Sequence, residues 1–150
     1  VVLYDELRAV LRALDDARVD YALIGALAVA VWGAPRATKD IDLLVLAHDL
    51  ERARSAVAPL GFSLPGLPFK FKDGTELQRL NKVDAQGNLM TVDFMLVNEN
   101  LASVWATRSR LPFADGEVSV VSRDGLIAMK SSAARPQDIA DIQNLTEIDR

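Results

Sequence analysis

The sequence predicts an α+β (mixed α/β) domain in which a central mixed β-sheet is flanked by helices. Three observations predict it. Helical periodicity marks both ends of the chain, and the middle alternates in strand fashion between glycine turns. A strand–glycine–helix unit, Leu23-Ile24-Gly25-Ala26, runs into a helix and then a second apolar strand. With 150 residues the chain is expected to form one domain, 1–150, with a real core.

The elements follow in order. Leu3, Leu7, Val10, Leu11 and Leu14 recur on one helical face, which Asp15, Asp16 and Asp20 close. Tyr21 to Ile24 reads as a short buried strand. Gly25 breaks it, and Ala26 to Trp32 reads as a buried helix ended by Gly33-Ala34-Pro35. Ile41 to Leu46 is a second strand, and Leu50 to Ala58 an amphipathic helix stopped by Pro59. Gly61 to Pro68, with two glycines and two prolines, reads as a loop. Phe69 to Phe71, the turn Asp73-Gly74 and Leu77 to Val83 suggest one hairpin. Ala85-Gln86-Gly87-Asn88 links that strand to Leu89–Leu96 in another. Leu101 to Trp105 is a short helix. Leu111 to Phe113 and Val118 to Val121 flank the turn Asp115-Gly116. Ser122 suits an N-cap for Leu126 to Ala133. Pro136 suits the first turn of a last helix, with Ile139, Ile142 and Leu145 expected inward.

Half the residues are hydrophobic and a quarter charged, an ordinary balance for a globular chain. The longest apolar run, Ala26 to Trp32, is far short of a membrane span, and no signal peptide is evident, so no membrane partner and a cytoplasmic location are expected. The absence of cysteine rules out disulfides, thiolate zinc sites and cysteine nucleophiles. A net charge of −4 disfavours tight binding to long nucleic acid over the whole surface, while leaving room for a local basic groove.

The chemistry-bearing residues begin with Asp40 and Asp42. Two acids two apart on a strand point the same way, and like charges that close repel unless a cation lies between them. Carboxylate oxygens suit Mg²⁺ or Mn²⁺, and Mg²⁺ usually carries phosphates. The alternative is a pair of surface acids at a strand's entry. Asp93 lies inside Val92-Asp93-Phe94-Met95-Leu96, so it must face solvent or be paired. If its strand lies beside Ile41 to Leu46, it joins Asp40 and Asp42, and three carboxylates make a two-metal site. One ion would then acidify an attacking hydroxyl and the other would neutralise the leaving pyrophosphate. Gly25-Ala26 would bring backbone N–H groups to a phosphate, or else be only a tight turn. Lys130, followed by small residues, could meet phosphates or be a solvated surface lysine; Arg135, Asp138 and Asp141 lie nearby in sequence. Arg36, Thr38 and Lys39 could reach a phosphate from the loop before Asp40.

Other chemistries fare badly. His48 is the only histidine and falls at a strand-to-helix corner. Neither Gly-x-Ser-x-Gly, a Walker loop nor Gly-x-Gly-x-x-Gly is present. Trp32 and Trp105 fall in apolar helical stretches and read as core.

Leu23-Ile24-Gly25-Ala26 followed by Pro35-Arg36-Ala37-Thr38-Lys39-Asp40-Ile41-Asp42-Leu43 resembles the nucleotidyltransferase superfamily of the DNA polymerase β type. The closest pattern is its minimal bacterial branch with the AbiEii-type toxin nucleotidyltransferases. Leu126 to Lys130 and Arg135 to Ile142 resemble that branch's C-terminal lysine and aspartate helices. The resemblance implies the nucleotidyltransferase fold and transfer of NMP from an NTP to a hydroxyl, with Mg²⁺ or Mn²⁺ as cofactor and pyrophosphate released. It implies that Gly25, with Ala26, binds triphosphate and that Asp40 and Asp42 hold metal. Asp93 would hold metal and activate the acceptor, and Lys130 would contact phosphates. Ala26 stands where many members carry serine or glycine, which keeps the N–H and loses a hydroxyl.

Three readings follow. The first is an enzyme whose acceptor is an RNA end, a small molecule or a protein hydroxyl. The second is a non-catalytic module that binds nucleotide or a protein partner in a toxin–antitoxin-like system. The third is a metal-dependent phosphodiesterase that uses water as acceptor.

Overall fold

The computed structural model describes residues 2–33, 38–113, 116–133 and 136–147. Among them six helices surround one eight-stranded sheet. Helix α1 is Val2–Asp16, followed by β1 (Tyr21–Ile24), α2 (Gly25–Val31), β2 (Asp40–Leu46) and α3 (Leu50–Val57). The β-rich middle holds β3 (Leu64–Pro65), β4 (Phe69–Lys70), β5 (Glu76–Val83) and β6 (Leu89–Val97). Then come α4 (Ala102–Ala106), β7 (Ser109–Phe113), β8 (Gly116–Val120), α5 (Arg123–Ala133) and α6 (Pro136–Glu147).

The strand order is β3-β5-β6-β2-β1-β8-β7, with β4 paired to β5. The pairs β2–β6 and β1–β8 are parallel and the others antiparallel, so the sheet is mixed. The parallel β2–β6 pair is what matters for the site. It sets Asp42 directly opposite Asp93, and β5 sets Arg79 opposite Asp93 from the other side. Side chains alternate faces, so Ile41, Leu43 and Val45 of β2 and Val92 and Phe94 of β6 turn away from the acids. All five are fully buried. Leu80 and Lys82 of β5 share that face, and Lys82 pairs with Glu6 of α1 at 2.6 Å. The apolar layer under the acids is therefore the main core, closed by α1 and α3 through Leu7, Leu14, Ala53 and Val57.

Several sequence expectations need correction. The stretch expected as a loop from Gly61 to Pro68 contains β3, paired to Asn81 and Leu80. Proline is tolerated there because β3 is an edge strand. Ile139, expected inward, is 58% exposed. Leu145 is inward as expected, but it shares that face of α6 with Asp138 and Asp141, spaced by three and four residues and also buried. Trp32 and Trp105 lie at the core's rim, not inside it: both are partly buried, Trp32 donates Nε1–H to the Val121 carbonyl at 3.0 Å, and Arg108 stacks on Trp105. Ser122 does cap α5, its Oγ accepting from the Gly125 N–H at 2.9 Å. His48 is largely exposed at its corner, 3.5 Å from Asp49 Oδ1. The turn residue Asp115 lies outside the described residues. Among the described residues no helix is long and apolar enough to cross a membrane.

Candidate active site

The acids lie on the floor of a groove of about 820 Å³. Its polar lining includes Thr38, Asp40, Asp42, Arg79, Asp93 and Lys130. One cross-sheet row reads Ile24, Asp42, Asp93, Arg79 over β1, β2, β6 and β5. The neighbouring row carries Asp40, Thr91 and Asn81, where the Thr91 hydroxyl bonds Asn81 Oδ1 at 3.0 Å. Leu77 and Met95 of the next row, with Phe71 of the preceding turn, give the groove an apolar wall.

Gly25 is where the fold makes room for this row. Its φ is +71°, a left-handed conformation that favours glycine. A Cβ there would fall on Asp42 Oδ2 and within 3.0 Å of its Cγ. The sequence pointed to a backbone that approaches a phosphate. The structure shows that the glycine lets the Asp42 carboxylate lie against the start of α2. Ala26 is buried and lines the groove.

Burial is the main reason that the Asp42 carboxyl is pushed up to about 7. The charges of Asp93 and Asp40, and a hydrogen bond with Asp93, push the same way, while Lys130 opposes them. Asp93 itself is buried and held by a two-pronged fork from Arg79, Nε to Oδ1 at 2.8 Å and Nη2 to Oδ2 at 2.9 Å. Arg79 is held strongly in its charged form by that contact.

Asp40 is exposed at the entry of β2, and its N–H donates to the Thr38 hydroxyl at 3.2 Å. The Lys39 side chain is exposed and does not line the groove; its carbonyl accepts from the Thr91 N–H. Arg36 and Arg135 lie outside the described residues. Lys130 is no surface lysine. It is 8% exposed, with Nζ 2.9 Å from Asp141 Oδ2 and 4.0 Å from Asp138 Oδ1. These two acids are buried on α6, so the charge of Lys130 is shared between them and the groove that it lines.

Among the described residues no group of three acids or histidines is drawn close enough to hold a metal ion as it stands. The donors nevertheless fit a hard divalent ion. Asp42 and Asp93 offer oxygen ligands side by side, and their mutual repulsion is what a cation would relieve. Asp40 shares their strand face one step along.

Arg79 is the site residue that sequence reasoning missed. Its signal was the hairpin: centred on Gln86, it sets Arg79 opposite Asp93. The apolar lining from Phe71, Leu77, Met95 and Met129 was missed as well, because apolar residues in strands and helices read as core.

No family model matches the chain, and no curated protein matches it. Solved structures do. The lincosamide antibiotic adenylyltransferase LnuA, bound to lincomycin, is 16% identical with a TM-score of 0.65, covering 97% of each chain. ANT(2")-Ia in complex with adenylyl-2"-tobramycin is 15% identical with a TM-score of 0.66, over 97% of this chain and 88% of that one. A Thermotoga maritima protein, TM1012, described only as a candidate nucleotidyltransferase, is 13% identical with a TM-score of 0.67, over 93% and 89%. At these identities the likeness shows the fold. The chain has the nucleotidyltransferase fold, mixed α/β with a central mixed sheet and flanking helices.

Proposed function

We propose that the chain is a divalent-metal-dependent nucleotidyltransferase that moves NMP from an NTP to a hydroxyl acceptor. The observation that carries this reading is the juxtaposition of Asp42 and Asp93 over Gly25 in a large groove. The reaction forms a bond from the acceptor oxygen to the α-phosphorus and breaks the α–β phosphoanhydride, whose electron pair leaves with pyrophosphate. A carboxylate of the Asp42–Asp93 pair takes the hydroxyl proton. Mg²⁺ or Mn²⁺, held by these two acids with Asp40, would supply charge for the triphosphate and acidity for the hydroxyl. Thr38 and Lys130 line the groove beside them, and Arg36 belongs to the same proposed phosphate-binding set.

A small-molecule acceptor is favoured over an RNA end. The net charge of −4 gives RNA little to hold. The structural neighbours LnuA and ANT(2")-Ia carry an antibiotic and an adenylylated antibiotic in their structures. The reading takes 1–150 as one domain working where NTPs are abundant, in the cytoplasm.

The Arg79 fork on Asp93 gives specific support to a second reading. A site whose third acid is neutralised by arginine could bind nucleotide or a protein partner without turnover, as in the toxin–antitoxin setting that the AbiEii-type resemblance suggests.

Incubation with Mg²⁺, α-labelled NTPs and cell extract or an antibiotic panel separates the two. The enzyme reading predicts labelled acceptor plus pyrophosphate, with loss of at least ~10³-fold in Asp42→Asn. Mg·NTP binding without transfer to any acceptor supports the module. Label released from preformed phosphodiesters without pyrophosphate points to a phosphodiesterase.

A further inference from the structure

We infer that Arg79 is an exchangeable counter-ion: it closes Asp93 in the resting site and passes to the triphosphate when metal and nucleotide enter. The inference rests on the nucleotidyltransferase reading and adds a residue that the resemblance does not name.

Asp42 and Asp93 stand opposite each other on adjacent strands, with Asp40 one step away on the same face. Such a cluster needs a cation. Among the described residues that line the groove, Arg79 and Lys130 supply one. Lys130 is committed to Asp141 at 2.9 Å and reaches Asp42 only through space. Arg79 takes both oxygens of Asp93, at 2.8 and 2.9 Å, in the paired geometry that a guanidinium makes best.

That geometry sets up competition. Both Asp93 oxygens accept from Arg79. An ion that ligates Asp93 must displace at least one N–H. Arg79 can yield, because its side chain is 48% exposed where it lines the groove. At its base the stem runs along Gly66, whose N–H donates to the Arg79 carbonyl at 2.9 Å and whose missing Cβ leaves the stem its space. Arginine stays charged throughout, so the freed guanidinium remains in the groove as a five-donor cation. A polyanion entering with the ion is the partner that it would meet next, and phosphate oxygens take the same fork as a carboxylate.

The competition is measurable without turnover. Wild type, Arg79→Met and Arg79→Lys are titrated with Mn²⁺ alone by calorimetry, then with α,β-methylene-ATP at saturating Mn²⁺. Arg79→Met keeps the apolar stem, and its thermal melt reports folding. Arg79→Met is expected to bind Mn²⁺ about tenfold more tightly than wild type, because no resting contact need be broken. Arg79→Lys should fall between them. The nucleotide should bind about tenfold more weakly to Arg79→Met, having lost its fork. Equal or weaker Mn²⁺ binding by Arg79→Met overturns the inference and leaves Arg79 a structural tie. A Mn²⁺ gain with unchanged nucleotide affinity overturns the transfer to phosphate. The proposed function fails separately, when no variant binds nucleotide although the Mn²⁺ gain is present.

Discussion

Gly25 and Asp42 are one device. The carboxylate rests where a side chain at position 25 would have to go, and the backbone there is left-handed at φ +71°. Gly25→Ala therefore meets both strain and collision. It is expected to lose roughly 1–3 kcal/mol of stability in urea denaturation and to lose Mn²⁺ and nucleotide binding along with it. Retained binding would show that Asp42 need not stand on the turn. Asp42 also makes a prediction in pH. Its carboxyl is pushed up to about 7 in the fold by burial and by Asp93 and Asp40, from an ordinary value of 3.8. Between those two values the folded state binds more protons than the unfolded state, so stability contributed by this group falls as pH rises from about 4 to 7. Asp42→Asn should flatten that slope and stabilise the metal-free protein at pH 8 by roughly 1–3 kcal/mol. Denaturant midpoints at pH 5 and pH 8 check it; an unchanged slope contradicts the assignment.

At the scale of elements, two pairs build the groove: the β5–β6 hairpin and the α5–α6 helices. The hairpin brings Arg79 to Asp93, and its turn is fixed by Asp84, whose Oδ1 accepts from the N–H groups of Gln86 and Asn88 at 2.9 and 2.8 Å. The helices bring Lys130 to Asp141 and Asp138. Removing the cation from that buried pair should be costly. Lys130→Met is expected to destabilise by about 2–4 kcal/mol. Combining it with Asp141→Asn should restore part of the loss, a coupling above about 1 kcal/mol in a double-mutant cycle. Additive effects would mean that the pair is not coupled. These elements also separate what local sequence encodes from what it does not. The acid of an apolar strand, Asp93, had to be paired or exposed, and strand alternation alone fixes its face. Lys130 was harder. Its burial comes from α6 folding back with two acids on one face, a long-range event that leaves no local mark beside a lysine in a helix. Ile139 misled for the same reason: apolar spacing put it inward with Ile142 and Leu145, while the ion pairs of Lys130 turn Asp138 and Asp141 inward and leave Ile139 exposed.

For the whole molecule, the decisive fact is strand order. Strands β2 and β6 are far apart in sequence and adjacent and parallel in space, which no local pattern dictates. The helical ends and β-rich centre gave the class, and the Arg-Ala-Thr-Lys-Asp-Ile-Asp string gave the likeness to nucleotidyltransferases; the fold agrees with both. The Arg79 fork was outside that string and had to come from hairpin register. The central claim is that Asp42 and Asp93 jointly hold a divalent ion that carries a nucleotide. A crystal structure with Mn²⁺ and α,β-methylene-ATP tests it most directly. The account predicts anomalous density bridging the two carboxylates, with the triphosphate in the groove and Arg79 turned from Asp93 to a phosphate oxygen. Manganese and nucleotide bound elsewhere, or absent while Arg79 keeps its grip on Asp93, would contradict it.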